Sequence, residues 1–220
     1  DARSAVAAAQ RMRELGASVI DVGGESTRPR GKTYGERVEP VPVAEELRRV
    51  LPVVEALVAA GVAVSVDTTK AEVARQACAA GARIINDVSC GGQPELLAAA
   101  AEARAELVLM HNRGQGERRG PNIQYGDVMR DVLDELTQAV ARAVQAGVAR
   151  ERIWIDPGIG LGKTAAQSLT LLARTDSLVQ SGLRALVGPS RKSFIAEVAS
   201  LPSGDAPGPL ERLGGTAACV

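Results

Sequence analysis

Asp67, Asn86, Asp156 and Lys192 carry the most suggestive chemistry in this sequence. Each stands at the end of a short apolar run: VAVSV before Asp67, ARII before Asn86, RIWI before Asp156 and RALVGPSR before Lys192. Two carboxylates and a primary amide at strand ends suit a flat heterocycle with amidine-like edges. A carboxylate accepts two parallel N–H bonds, and an amide offers a donor and an acceptor. Arg191 and Lys192 add positive charge, with Ser193 beside them. A second cluster follows the run VIDVGG at 19–24. Glu25, Ser26, Thr27, Arg28, Pro29 and Arg30 crowd hydroxyls, backbone N–H groups and guanidinium into one turn. Such a turn is a local anion site. The two clusters together ask for a ligand that is a heterocycle and an anion at once.

The elements that must position these residues show in the hydropathy pattern. Apolar runs recur at ASVIDVGG (17–24), VAVSVDTT (62–69), ARIINDVS (82–89), AELVLMHN (105–112), RIWIDPG (152–158) and RALVGPSR (184–191). They are rich in Val and Ile and nearly continuous, as expected for parallel strands buried on both faces. Helical spacing fills 44–60, 70–80, 93–104, 127–147 and 165–181, with further helices at about 2–15 and 210–220. Gly16, Gly61, Gly81, Gly147 and Gly182 stand where helices should end. Alternating strands and helices predict a parallel α/β fold. Six such units with a helix at either end fit a TIM (β/α)8 barrel lacking its first and last strands. A doubly wound open sheet also fits, and periodicity does not separate the two. No linker or composition shift divides residues 1–220, so one domain, cut at both ends, is expected. Stretches 113–122 and 202–209 read as loops.

In either architecture the carboxyl ends of parallel strands converge on one rim, where ligand sites form. Helix capping explains Asp21, Thr69 and Ser89 equally well one at a time. Polar residues at six successive strand ends, in register, read as a pocket.

Composition narrows the partners. Lys+Arg and Asp+Glu both number 26, so no net field draws the chain to nucleic acid or anionic membrane. Aromatic content of 2% leaves few stacking platforms for single strands. Cys78, Cys90 and Cys219 form no CxxC pair and read as buried, reduced thiols. No run approaches the ~18 apolar residues of a membrane helix, and no signal peptide is visible. A cytoplasmic protein is expected. PGIGLGKT (157–164) imitates a P-loop, but Pro157 occupies the place of the first Walker glycine. GGESTRPRG lacks the dinucleotide glycine pattern. His111 is the single histidine and reads as a satisfied rim or core residue rather than a metal ligand.

GASVIDVGGESTRP, VSVDTTKAEVA, GARIINDVS, LVLMH, DPGIGLGK and SRKSF occur in this order along the whole chain. Together they resemble the dihydropteroate synthase family of pterin-binding enzymes, the folate-pathway transferases that sulfonamides inhibit. The resemblance implies a TIM barrel. It implies joining 4-aminobenzoate to 6-hydroxymethyl-7,8-dihydropterin diphosphate, giving 7,8-dihydropteroate and diphosphate. By carry-over, Asp67, Asn86, Asp156 and Lys192 line the pterin pocket, with Asp156 accepting the paired N–H groups of the aminopyrimidinone edge. Asp67, Lys192 and Asp156 are the implied catalytic residues. Thr27 and Arg28 would serve the diphosphate and aminobenzoate, and Pro29 and the stem of Lys192 would pack on the aminobenzoate ring. Ser193 would bind its carboxylate, with Arg191 adjacent. Mg2+ is the implied cofactor, its protein ligand expected N-terminal to Asp1, and a homodimer is the implied assembly.

The chain departs from the family pattern in places. Family members carry a first strand with Asn and a last strand with R-x-H-D, and neither motif occurs in residues 1–220. Arg30 replaces a usual glycine, Leu161 a usual phenylalanine, and Pro189 a small or branched residue. Two other readings fit part of the pattern. A corrinoid-type pterin methyltransferase domain would have no use for ESTRP and SRKSF. A catalytically dead pterin-binding paralogue is opposed by intact Asp67, Asn86, Asp156, Lys192 and Thr27.

Overall fold

The computed structural model describes residues 1–26, 40–113, 123–199 and 206–219. Strands β1 (Val19–Gly23), β2 (Ala63–Asp67), β3 (Ile84–Asp87), β4 (Glu106–Met110), β5 (Ile153–Asp156) and β6 (Arg184–Ala185) alternate with helices. The helices are α1 (Ala2–Glu14), α2 (Val43–Ala59), α3 (Ala71–Ala79), α4 (Pro94–Glu102), α5 (Val128–Gln145), α6 (Ala165–Ala173), α7 (Thr175–Gln180), α8 (Ser193–Val198) and α9 (Leu213–Ala217). All strand pairs are parallel, in the order β1-β2-β3-β4-β5-β6. Sequential order is the winding of a (β/α)8 barrel. A doubly wound sheet reverses direction part-way, and no reversal occurs here.

The two sheet faces differ sharply. Toward the helices point Val64, Val66, Ile85, Leu107, Leu109, Ile153 and Ile155, all fully buried in one hydrophobic cluster. On the opposite face the register aligns Gly23, Asp67, Asn86 and Val108 in one row. Met110 and Asp156 pair two residues beyond Val108, on the same face. The expectation of strands apolar on both faces is therefore corrected for this face. VSVD and IIND hide an alternation of two because their apolar residues outnumber the polar ones. At the amino end of the same face Glu106, Trp154 and Arg184 form a cluster. The Arg184 guanidinium lies 3.8 Å from the Trp154 ring centroid and donates to Glu106 Oε2 at 3.0 Å.

The predicted helix-ending glycines Gly16, Gly61, Gly81, Gly147 and Gly182 all take positive φ. Gly81 shows why. At φ +108 its N–H reaches the Cys78 carbonyl and the next N–H reaches Ala77, and a Cβ there would lie 2.6 Å from Val58. Helix α4 closes with the same two bonds, from Arg104 and Ala105, but Arg104 takes φ +49 in the glycine place.

Three boundaries differ from the sequence reading. The helix expected at 165–181 breaks at Arg174 into α6 and α7. Thr175 Oγ1 donates to the Leu172 carbonyl there at 2.6 Å, a local bond that competes with helix continuation. The strand expected in 184–191 pairs over two residues only, because proline and glycine follow at Pro189 and Gly188. The last helix is shorter than its expected 210–220 span.

Candidate active site

Strand β2 ends on Asp67, flanked in register by Gly23 and Asn86. Parallel pairing thus sets the Asp67 carboxylate beside the Asn86 amide, about 5 Å apart at the backbone. Asn86 Nδ2 donates to Asp21 Oδ2 at 3.3 Å. Asp67 Oδ1 is buried and has no hydrogen-bond partner among the described residues. Burial, followed by repulsion from Asp21, Glu46, Asp87 and Glu25, pushes the Asp67 carboxyl up to about 7. An unsatisfied acceptor crowded by anions is primed for a cationic or N–H-bearing ligand. Asp87, the next residue, turns to the other face. It accepts from the N–H groups of Ser89 and Gly91 at 2.8 and 2.7 Å and holds the following loop.

Asp156 closes β5 at 4% exposure. Its Oδ1 accepts the Gly158 N–H at 2.7 Å. Burial raises its pKa, opposed by the Lys192 charge, the Gly158 bond and Lys163. Lys192 precedes α8 and has Asp156 as its charge partner. Burial lowers the Lys192 pKa and Asp156 pulls it back. The stem of Lys192 passes Gly160, where a Cβ would meet its Cδ at 3.3 Å. Arg191 sits at φ +52, strained for a side-chain-bearing residue. Its N–H donates to Thr216 Oγ1 at 2.9 Å, and its carbonyl accepts from Arg212 Nη1 at 3.1 Å. That two-sided grip from the α9 region sets the turn presenting Lys192 and Ser193. Thr27, Arg28 and Pro29, with Arg30, lie outside the described residues.

Several partners of the site escaped the sequence reading. Lys70 Nζ bonds both Glu25 and Glu46, and Thr68 Oγ1 donates to Glu46 Oε1 at 2.7 Å. Glu25 also accepts the Val41 N–H at 3.3 Å. This network ties β1's exit to the start of α2. Glu46 on α2 is 1% exposed, and its partners Thr68 and Lys70 lie 22 and 24 residues along the chain.

His111 is buried between two partners: Lys163 Nζ at 3.0 Å from Nδ1 and Glu135 Oε2 at 3.0 Å from Nε2. Burial and then the Lys163 charge lower its pKa to about 4. It is a satisfied, neutral histidine, as expected. The lysine of PGIGLGKT turns inward onto its own loop, donating to the carbonyls of Gly158 and Leu161 at 3.0 and 2.9 Å. Cys78, Cys90 and Cys219 are free and half-buried, and burial pushes Cys78 and Cys90 up to about 11. Among the described residues no three His, Cys, Asp or Glu side chains gather to hold a metal, and no helix is long and apolar enough to cross a membrane.

Fold and site define an α/β domain of barrel-type winding with a polar cluster at the carboxyl ends of its strands. The chain belongs to the pterin-binding enzyme family, whose family model matches residues 1–220. The dihydropteroate synthase of Synechocystis sp. is 42% identical over 217 residues, covering 98% of this chain and 71% of the relative. The Xanthomonas albilineans dihydropteroate synthase with 4-aminobenzoic acid superposes with a TM-score of 0.87 at 42% identity, covering 99% of this chain and 74% of that one. The same species' enzyme in complex with 7,8-dihydropteroate superposes at 0.82 with 40% identity, over 99% of this chain and 73% of that one.

Proposed function

We propose that the protein is a dihydropteroate synthase. It is a transferase that joins 4-aminobenzoate to 6-hydroxymethyl-7,8-dihydropterin diphosphate and releases 7,8-dihydropteroate and diphosphate in folate biosynthesis. The observation that carries the residue roles is the register-locked Asp67–Asn86 pair on the same sheet face as Asp156, with Lys192 beside it. Asp156 accepts the paired N–H groups of the pterin's aminopyrimidinone edge with its second oxygen, since Oδ1 is held by Gly158. Asn86 supplies amide bonds to the ring. The C–O bond to diphosphate breaks with its electron pair leaving on diphosphate, and the electron-rich pterin spreads the resulting methylene cation. Asp67, when ionised, stabilises that cation. The aminobenzoate nitrogen then attacks and loses a proton to water. This route needs positioning and electrostatic stabilisation more than acid–base machinery.

Thr27, Arg28 and Pro29 are proposed for diphosphate and aminobenzoate binding, and Ser193 with Arg191 for the aminobenzoate carboxylate. Mg2+ is proposed as cofactor from the family resemblance alone. Glu25 and Glu46 are committed to Lys70, so the described residues do not fit a self-contained magnesium cage and no step is routed through it. A cytoplasmic homodimer completes the proposal.

Turnover tests the reaction. Both substrates with Mg2+ should give dihydropteroate, and omitting either should give none. Asp156→Ala should lower kcat/KM by about 100-fold or more, the worth of two charge-assisted hydrogen bonds at ~1.5 kcal/mol each. Absence of product from wild type would refute the assignment.

A further inference from the structure

Lys163 touches none of the atoms that react in the proposed function. Its side chain is 5% exposed, and its Nζ meets three acceptors: the Gly158 carbonyl at 3.0 Å, the Leu161 carbonyl at 2.9 Å and His111 Nδ1 at 3.0 Å. Nδ1 is free to accept because the other ring nitrogen donates to Glu135 at 3.0 Å, which fixes the tautomer. An ammonium carries three N–H donors, whereas a neutral amine carries two. Three acceptors around one buried nitrogen match the ammonium. Around an amine, one of them would be left unpaired.

We propose that Lys163 is a positioning residue for pterin recognition, a buried ammonium that holds the turn after Asp156 and keeps the Asp156 carboxylate ionised. One peptide unit away, Gly158 links the two groups. Its N–H bonds Asp156 Oδ1 at 2.7 Å while its carbonyl receives Lys163 at 3.0 Å. Gly158 has φ +65, and a Cβ there would lie 1.9 Å from the His111 carbonyl, so this close approach requires glycine. Asp156 is thus flanked by two cations, Lys192 from the rim and Lys163 from behind. The charged and titratable groups around Lys163 are Asp156 on β5, Lys192 before α8, Cys90 after β3, His111 and Arg113 after β4, Tyr125 before α5 and Glu135 on α5. Burial lowers the Lys163 pKa to about 7, with Asp156 the foremost influence holding it up. Its full set of acceptors adds to that support.

This inference rests on the pterin role of Asp156, and two independent readouts separate them. The first is affinity for 6-hydroxymethylpterin by calorimetry from about pH 4 to 8. In wild type, binding should weaken on the acid side, as Asp156 gains a proton. Lys163→Met and Lys163→Gln should move that acid midpoint up by about one pH unit, a loss of about fivefold at the wild-type midpoint that approaches tenfold below it, with the plateau above the midpoint kept within about threefold. Equal loss at every pH, or an unmoved midpoint, overturns the proposal. No binding by wild type at any pH overturns the pterin role of Asp156 and this role with it. The second readout needs no variant: 15N NMR of lysine-labelled wild type. A persistent ammonium signal is expected for Lys163 at about pH 6, distinct from Lys32, Lys70 and Lys192, and a neutral amine signal there overturns the proposal.

Discussion

Replacing Asp67 by Asn should make the folded protein more stable and the enzyme much slower. Asp67 is half-buried among Asp21, Glu46, Asp87 and Glu25, and its carboxyl is pushed up to about 7. A carboxyl raised in the folded state holds a proton that the unfolded chain has lost between about pH 4 and 7. Stability from this group is therefore present in acid and lost as pH rises through that window. A tenfold change in proton affinity is worth about 1.4 kcal/mol, so an isolated buried group would give ~4 kcal/mol at pH 8. Partial exposure screens the charge, leaving about 1–2 kcal/mol. Asn keeps the shape and removes the charge. Its Tm should rise by about 2–8 °C at pH 8 and by nearly nothing at pH 4. Activity should fall by about 100-fold, the worth of one preorganised charge facing a developing cation. Calorimetric melting at the two pH values, with turnover alongside, reads both. A lower Tm at pH 8, or the same shift at both pH values, would refute the reasoning.

Two more predictions concern the frame. Lys70→Met strands Glu46, which is 1% exposed, without its cation; this should cost about 2–4 kcal/mol in urea unfolding. Adding Glu46→Gln should recover most of it, and failure to recover would show that the pair is not what matters. Arg104→Gly relieves a left-handed φ of +49 at an exposed helix end. The gain should be about 0.5–1 kcal/mol, seen as a small rise in Tm.

The strand ends were legible because Asp67, Asn86 and Asp156 each lie directly after an apolar run, and Lys192 follows a few residues beyond one. Asp67, Asn86, Asp156 and Lys192 are local signals, and so are the glycines that end the helices. What escaped was held by distance along the chain. Nothing near Glu46 announces Lys70, and nothing in PGIGLGKT announces His111 or Glu135. The choice between barrel and open sheet was also non-local, fixed by strand order rather than by any strand's sequence. The polar sheet face stayed hidden because Ser65, Asp67 and Asn86 are few among valines and isoleucines, so runs that alternate looked continuous. Arg174 gives no breaker signal, and the bond of Thr175 to Leu172 that accompanies the break shows only in three dimensions.

The central claim is that the Asp67, Asn86, Asp156 and Lys192 rim holds a pterin. Calorimetric titration with 6-hydroxymethyl-7,8-dihydropterin diphosphate, comparing wild type with Asp156→Ala, tests it most directly. The account predicts saturable one-site binding by wild type, weakened about 100-fold in the variant while its melting temperature stays within a few degrees. Undiminished affinity in a folded Asp156→Ala protein would contradict it.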